Sequence, residues 1–363
     1  MTPFFAGIFL LGLSSLVSAA NFTQVFEWPD KLDLEWPLNM QDGAFKAENI
    51  SPRYMAVYGE RIFLSLYKSE AIAATLVSLA KSSASSEPPQ LTPFPSWETH
   101  LDGSFKMGNS IKSRNKCDKM DMANGLQVDS VGRLWVLDSG STCNKCNAKL
   151  WIFNLNNNKA ELIHQFSFHG WMHDLVIDET ADGTFAYISR WAKEHIVVFC
   201  LESNTSWMVD TPGIKVISVA LSSEQLYLGN YLSFDMHFIS VSALRNGTGK
   251  ANLIGHWNTF TPYRMLVDNR GTLYAAFFWE NYLQSWSTAQ PFKKQRVYHQ
   301  VAGVQSFWPF SLAMDQNDTP WVMAYNEERE PRYRLFKAAL GAKSFKNSPE
   351  CSGTLCHEID TAY

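Results

Sequence analysis

Six times along the chain an apolar stretch runs into a turn and restarts with an aromatic residue, and this recurrence limits the fold more than any other feature. The clearest copy is LQVDSVGRLWVLDSG, residues 126–140. The others are MAVYGERIFLSLY (55–67), LVIDETADGTFAYISR (175–190), VALSSEQLYLGNY (219–231), MLVDNRGTLYAAFF (265–278) and LAMDQNDTPWVMAYN (312–326). Each reads as two short strands joined by a tight turn, because Asp, Gly, Ser and Asn tolerate the backbone angles a turn demands. The aromatic anchors Phe63, Trp135, Tyr187, Tyr227, Tyr274 and Trp321 lie 72, 52, 40, 47 and 47 residues apart. A period of roughly 40–50 residues is that of propeller blades of about four strands each. The expected fold is all-β, a six-bladed β-propeller around a central channel. The functional question becomes what lines that channel.

Residues 1–20 read as a signal peptide. Phe4 to Leu16 is an apolar run too short to span a bilayer, and Ser18, Ala19 and Ala20 supply small residues for cleavage, although no Lys or Arg precedes the run. The expectation is a secreted, extracellular protein whose residues 21–363 form one domain, at about 57 residues per blade. The 13 Trp, 13 Tyr and 24 Phe suit wedge-shaped packing between blades. A net charge of −4 points to neither nucleic acid nor an anionic membrane as partner. The oligomeric state is left open.

Residues 81–97, KSSASSEPPQLTPFPSW, read as a surface-loop insert that explains the longest spacing. Residues 69–81 read as helix or strand. The tail beyond Lys337 either closes the ring with a strand or trails. Asn49, Asn204, Asn246 and Asn317 are expected glycosylation sites, and Asn21 also begins a sequon. The six cysteines, Cys117, Cys143, Cys146, Cys200, Cys351 and Cys356, read as disulfides, with fifteen pairings open.

Aligning the copies on their turn residues (Tyr58, Asp129, Asp178, Ser222, Asp268, Asp315) places Arg53, Asn124, His173, Ile217, Tyr263 and Phe310 five positions earlier. These begin the innermost strands and are expected to ring one mouth of the channel. Apolar walls with a few converging polar groups describe a small-molecule site. Taken singly, an Arg or His at such a position more often pairs with a neighbouring carbonyl or carboxylate than binds a ligand. The second strands end near Asp138, Arg190, Asn230, Glu280 and Asn326, with an Asp138–Arg190 ion pair open to formation. The expected ligand-binding set is Arg53, Asn124, His173, Tyr263, Phe310, Asp138, Arg190 and Asn326. No metal is expected: Asn124 suits a hard cation, but Arg53 and His173 do not. No Walker loop, dinucleotide fingerprint or GxSxG motif occurs, and no cofactor is expected.

FEW (26–28), the N-x-x-P of Asn49 to Pro52, GERIF (59–63), AIAATL (71–76), LTPFPSW (91–97), VDSVGRLWVLDSG (128–140), KLWIFNL (149–155) and FAYISR (185–190) together carry a resemblance over nearly the whole mature chain. The chain resembles the insect Yellow and major royal jelly protein family. The resemblance implies a six-bladed propeller. It also exposes departures: Tyr67 and Lys68 stand where the family usually has Pro-Arg, and Arg190 where it has Asp. Val131 stands where a cysteine is common, which implies a different partner for Cys117. Family roles include pigmentation, dopachrome conversion, amine binding and nutrition, so three functions stay open. The first is a carrier of a small aromatic amine- or catechol-derived ligand, linked to pigmentation or amine handling. The second is a dopachrome-type isomerase with His173 as candidate proton-transfer group beside Arg53 or Arg190. The third is a structural or storage protein.

Overall fold

In each repeat the first strand lies innermost in a four-stranded antiparallel sheet, and in four of the six a turn aspartate ties the hairpin to its aromatic anchor. A computed structural model describes residues 22–28, 32–35, 50–69, 72, 74–82, 89–100, 116–140, 146–294, 296–298, 307–326 and 332–338. Among them are six such sheets. Their first strands are Pro52–Tyr58, Ala123–Val128, Met172–Thr180, Val216–Leu221, Pro262–Val267 and Trp308–Met314, for blades 1 to 6. Each touches the next, and the sixth touches the first. The chain forms a six-bladed β-propeller.

The turn residues do structural work in the blades. Asp129 accepts a hydrogen bond from Trp135 Nε1 at 2.9 Å, Asp178 from the Tyr187 hydroxyl at 2.7 Å, Asp268 from the Tyr274 hydroxyl at 3.2 Å and Asp315 from Trp321 Nε1 at 3.1 Å. The other carboxylate oxygen of Asp129, Asp268 and Asp315 accepts the backbone N–H four residues on. One residue thus fixes the turn and satisfies the polar edge of a buried ring, which would otherwise cost free energy.

Hydroxyl groups stitch one blade to the start of the next. Thr75 accepts from Ala123 N–H, Ser139 accepts from Met172 N–H, Ser189 donates to the Ile217 carbonyl and Ser218 donates to the Pro262 carbonyl. These bonds serve the inner-strand backbone where it begins, the place at which the channel opens.

Blade 6 is closed by the N-terminal segment. Phe22–Trp28 pairs with Tyr333–Ala338, so the tail supplies the third strand and the lead-in supplies the fourth. Residues 76–80 form a strand, which resolves the helix-or-strand ambiguity. Within the expected loop insert, Thr92 and Pro93 pair with Val77 and Ser78 as a two-residue outer strand of blade 1; proline is tolerated there because the strand lies at an edge. Trp97–His100 adds a short helix.

Cys117 is bonded to Cys146, and among the described residues Cys200, which ends the third strand of blade 3, has no disulfide partner. Cys143, Cys351, Cys356, Asn49 and the leader lie outside the described residues. Asn204, Asn246 and Asn317 are exposed. No helix among the described residues is long and apolar enough to cross a membrane.

Candidate functional site

All six inner strands carry a register shift at the same place, next to the channel mouth. The interruptions fall between Pro52 and Tyr54, Ala123 and Leu126, Met172 and Leu175, Val216 and Ser218, Pro262 and Arg264, and Pro309 and Ser311. The residues left without a cross-strand partner include Arg53, Asn124, His173, Ile217, Tyr263 and Phe310, which is the ring expected from sequence. A bulge bends its strand and re-aims the side chain it carries. In blades 2 and 3 the interruption holds two residues, the second being Asp174 in blade 3. In blade 2 the second is Gly125, where an added Cβ would sit 2.9 Å from the His173 carbonyl oxygen.

The ring divides into two halves. Arg53, Tyr263 and Phe310 line a cavity of about 250 Å³ together with Trp279, Trp308, Tyr325 and Tyr333. Asn124 lies elsewhere, donating to Ser139 Oγ at 2.6 Å and to the Met122 carbonyl, while Ile217 is fully buried. His173 is buried behind Tyr263, 5.4 Å away ring to ring, and is not part of the cavity wall.

The expected second-strand residues also stand outside this cavity. Asp138 is fully buried and accepts from the N–H groups of Met122 and Gly140 and from Trp151 Nε1, with Lys149 Nζ at 3.4 Å. Arg190 lies 3.9 Å from the Phe168 ring centre and donates to the His169 carbonyl. Its partner is therefore not Asp138. Asn326 is buried just past the second strand of blade 6.

The layer beneath the ring plugs the channel. Arg264 is buried, with its guanidinium carbon 3.7 Å from the Tyr54 ring centre and 4.1 Å from that of Tyr263. Its Nη1 donates to the Tyr263 carbonyl at 2.9 Å and lies 3.2 Å from His173 Nε2. Below this layer the inner strands enclose a second chamber of about 560 Å³. Asp174 lies at its inner end, and Asp129, Glu179 and Asp315 at the turn face.

Burial, reinforced by Arg264 and Arg53, holds the His173 imidazole well below its ordinary value, so it is neutral near pH 7. Burial pushes the Asp174 carboxyl up to about 6, against the opposing pull of Arg264. Burial alone would raise the Tyr263 phenol, but the Arg264 and Arg53 guanidiniums outweigh it and hold the phenol below the usual tyrosine value. Arg53 also faces the rings of Tyr67 and Trp171, at 5.5 and 5.9 Å.

Sequence reasoning missed a ring of aromatics at or just past the ends of the second strands. Opposite the equivalent start of the inner strand stand Leu66, Asp138, Arg190, Asn230, Phe277 and Ala324. The next residues are Tyr67, Ser139, Trp191, Tyr231, Phe278 and Tyr325, aromatic in every blade but the second. Trp191, Tyr231, Phe278 and Tyr325 pack half-buried on the core that contains Tyr263 and Phe310. The expected exit residues stop one short of this ring in blades 3 and 4, at Arg190 and Asn230, and run past it in blades 5 and 6, to Glu280 and Asn326. The recurring signal was an aromatic at or directly after the strand end.

Among the described residues no group of three or more His, Cys, Asp or Glu side chains is placed to hold a metal ion. The arrangement can stack a planar ring between aromatic walls and offer a guanidinium to an oxygen atom; it brings no carboxylate to the same cavity wall.

The sequence matches the family model described as major royal jelly protein over residues 123–220. Protein yellow of Drosophila melanogaster is 21% identical over 394 residues, covering 91% of this chain and 69% of that protein. Dopaminechrome tautomerase of Drosophila melanogaster is 27% identical over 218 residues, covering 54% of this chain and 44% of that protein. Among solved structures, a gluconolactonase from Xanthomonas campestris superposes with a TM-score of 0.52 at 10% identity, covering 88% of this chain and 89% of that one. At that identity the likeness concerns the fold alone.

Proposed function

The chain is a divergent member of the Yellow and major royal jelly protein family, and from that premise we propose that it is a secreted protein that binds a small, planar, catechol-derived ligand at the mouth of its channel. One observation carries this reading. The mouth cavity has six aromatic walls, Tyr263, Trp279, Trp308, Phe310, Tyr325 and Tyr333, and one cation, Arg53, with no acidic residue in its lining. Aromatic faces favour a flat ring. A guanidinium favours oxygens that carry negative charge, such as those of a quinone or a carboxylate. An ammonium group placed beside Arg53 is repelled, which sets a quinone or acid derivative ahead of a free amine. The volume suits a bicyclic molecule, since ligand pockets enclose most of a small ligand's surface.

A second reading is conversion of such a ligand. It is favoured by the similarity to dopaminechrome tautomerase over about half of this chain. Titration calorimetry of the secreted protein against dopaminechrome, dopachrome, dopamine and serotonin tests both, with loss of the two chromes followed by absorbance. Saturable binding of the chromes, weaker or absent for the amines, is the expected result. Tighter binding of the amines overturns the proposal, and absence of all binding leaves a structural or storage role in front.

A further inference from the structure

The mouth cavity contains a phenol whose surroundings differ from those of every other tyrosine in its wall. Tyr263 is the bulged residue of blade 5, so its side chain is turned out of the strand ladder and into the cavity. Arg53, which shares the cavity wall, and Arg264, beneath it, both reach the phenol oxygen. Arg264 cannot swing away: it lies between the rings of Tyr54 and Tyr263 and is tied to the Tyr263 carbonyl. Phe278 and Trp308 press on the Tyr263 ring at 4.8 and 5.2 Å between centroids. The phenol is therefore fixed in position, faces the ligand space and has two cations to stabilise an oxyanion. Tyr325 and Tyr333 also line the cavity, but burial pushes the Tyr333 hydroxyl up to about 12. His173 has its ring nitrogens turned to Arg264, and Tyr263 stands between it and the cavity.

We propose that Tyr263 is a catalytic residue that takes a ring proton from a bound aminochrome, with Arg53 polarising the quinone oxygen and Arg264 acting as a positioning residue. This rests on the reading of the mouth cavity as the ligand site. The step is an isomerisation. The Tyr263 oxyanion takes a proton from carbon 3 of the dihydroindole-dione; the C–H electron pair moves into the ring and on to a quinone oxygen held by Arg53, which then takes up a proton. Loss of a second proton, from carbon 2, completes the aromatic indole and forms the second hydroxyl. Two C–H bonds break and two O–H bonds form, the proton on Tyr263 is returned to solvent or product, and no oxidant is consumed. General-base contributions of this kind are about 100- to 10,000-fold.

The test uses the secreted, full-length protein with two probes: isatin, a stable bicyclic dione, for binding by tryptophan fluorescence, and dopaminechrome for conversion by absorbance. Wild type is expected to bind isatin and to accelerate dopaminechrome loss. Tyr263→Phe should bind isatin within about threefold of wild type yet convert at least about 100-fold more slowly. Tyr274→Phe, on the far face, should match wild type in both. The wild-type pH–rate profile should show a basic limb set below the usual tyrosine value, and this reading survives if Tyr263→Phe fails to fold. Arg264→Lys should move that limb to higher pH without abolishing isatin binding. Isatin binding without accelerated conversion by wild type overturns the proton-transfer role and leaves the ligand site standing. Wild-type conversion by Tyr263→Phe, or a profile with no such limb, also overturns it. Absence of isatin binding overturns the ligand site itself, and the proton-transfer role with it.

Discussion

Arg264 and Tyr54 form the plug that divides the channel: the guanidinium carbon lies 3.7 Å from the centre of the phenol ring, and both side chains are buried. Among the described residues no carboxylate makes an ion pair with Arg264. The charge is held instead by two ring faces and by the Tyr263 carbonyl. A planar cation suits this slot because it stacks and donates at the same time. Arg264→Lys is therefore not conservative. It should lower stability by about 2 kcal/mol in urea unfolding; an unchanged midpoint and slope would refute the stacking account.

Asp129 serves a turn, an arginine and a buried indole at once. Asp129→Ala leaves Trp135 Nε1 and the Arg133 N–H without their acceptor, and should cost about 2–4 kcal/mol. Asp182 occupies an exposed turn of blade 3, and its replacement by Ala should cost less than about 0.5 kcal/mol. Equal losses in thermal unfolding would show that the aspartate–aromatic bond contributes nothing particular.

Acid should destabilise the fold before ordinary carboxylates titrate. Burial holds the His100 imidazole down to about 4, and His173 is held down in the same direction. Their stabilising contribution is full above the unfolded value near 6.5 and is lost as pH falls, at about 1.4 kcal/mol per pH unit for each. Asp174, raised to about 6, has the opposite sign: its contribution is full below its unfolded value and is lost as pH rises through about 6. Burial lowers His195 and His237 in the same direction, so the histidines outweigh the one carboxyl and stability falls between about pH 6 and 4.5. Urea unfolding across that range should show the slope, and His100→Gln should make it shallower.

The Cys117–Cys146 bridge spans 29 residues. Its loss through Cys117→Ser should lower stability by about 3–4 kcal/mol in the chain-entropy account. Cys200→Ser breaks no disulfide among the described residues and should change it by less than about 1 kcal/mol. A reversed order in denaturant midpoints would contradict this pairing.

Trp279 projects from the mouth with 60% of its surface exposed while lining the cavity. Trp279→Ala should weaken isatin binding about tenfold, as expected for a lost stacking wall, and leave the thermal midpoint within about 1 °C. A fall in the midpoint with unchanged affinity would make Trp279 a structural residue.

Much of the architecture could be read along the chain because propeller repeats are local. Each hairpin carries its own alternation, turn and anchor, so the count of blades and the ring of Arg53, Asn124, His173, Ile217, Tyr263 and Phe310 follow from spacing alone. Asp129, Asp268 and Asp315 fix their turns through backbone hydrogen bonds as expected, whereas Asp178 bonds Tyr187 and Arg245; the bonds from the four aspartates to the anchors Trp135, Tyr187, Tyr274 and Trp321 were not foreseen. The aromatic ring of Tyr67, Trp191, Tyr231, Phe278 and Tyr325 was also legible, at or just past the ends of the second strands. The two-residue strand at Thr92 and Pro93 was not, since nothing local distinguishes it from the loop around it.

By itself, then, the amino-acid order determined the repeated hairpins, their number and which positions begin each inner strand, because all three depend on neighbours a few residues apart. Only the tertiary structure decided which of those positions share a cavity. Arg53, Tyr263 and Phe310 come from blades 1, 5 and 6, and they meet because the Phe22–Trp28 strand closes the ring and brings the first blade beside the last. The same closure sets Asn124 and Ile217 apart, and it puts Tyr263 rather than His173 at the wall. Such choices rest on contacts between residues far apart in the chain, 314 positions in the bond from the Thr23 hydroxyl to the Lys337 carbonyl, and no local pattern encodes them.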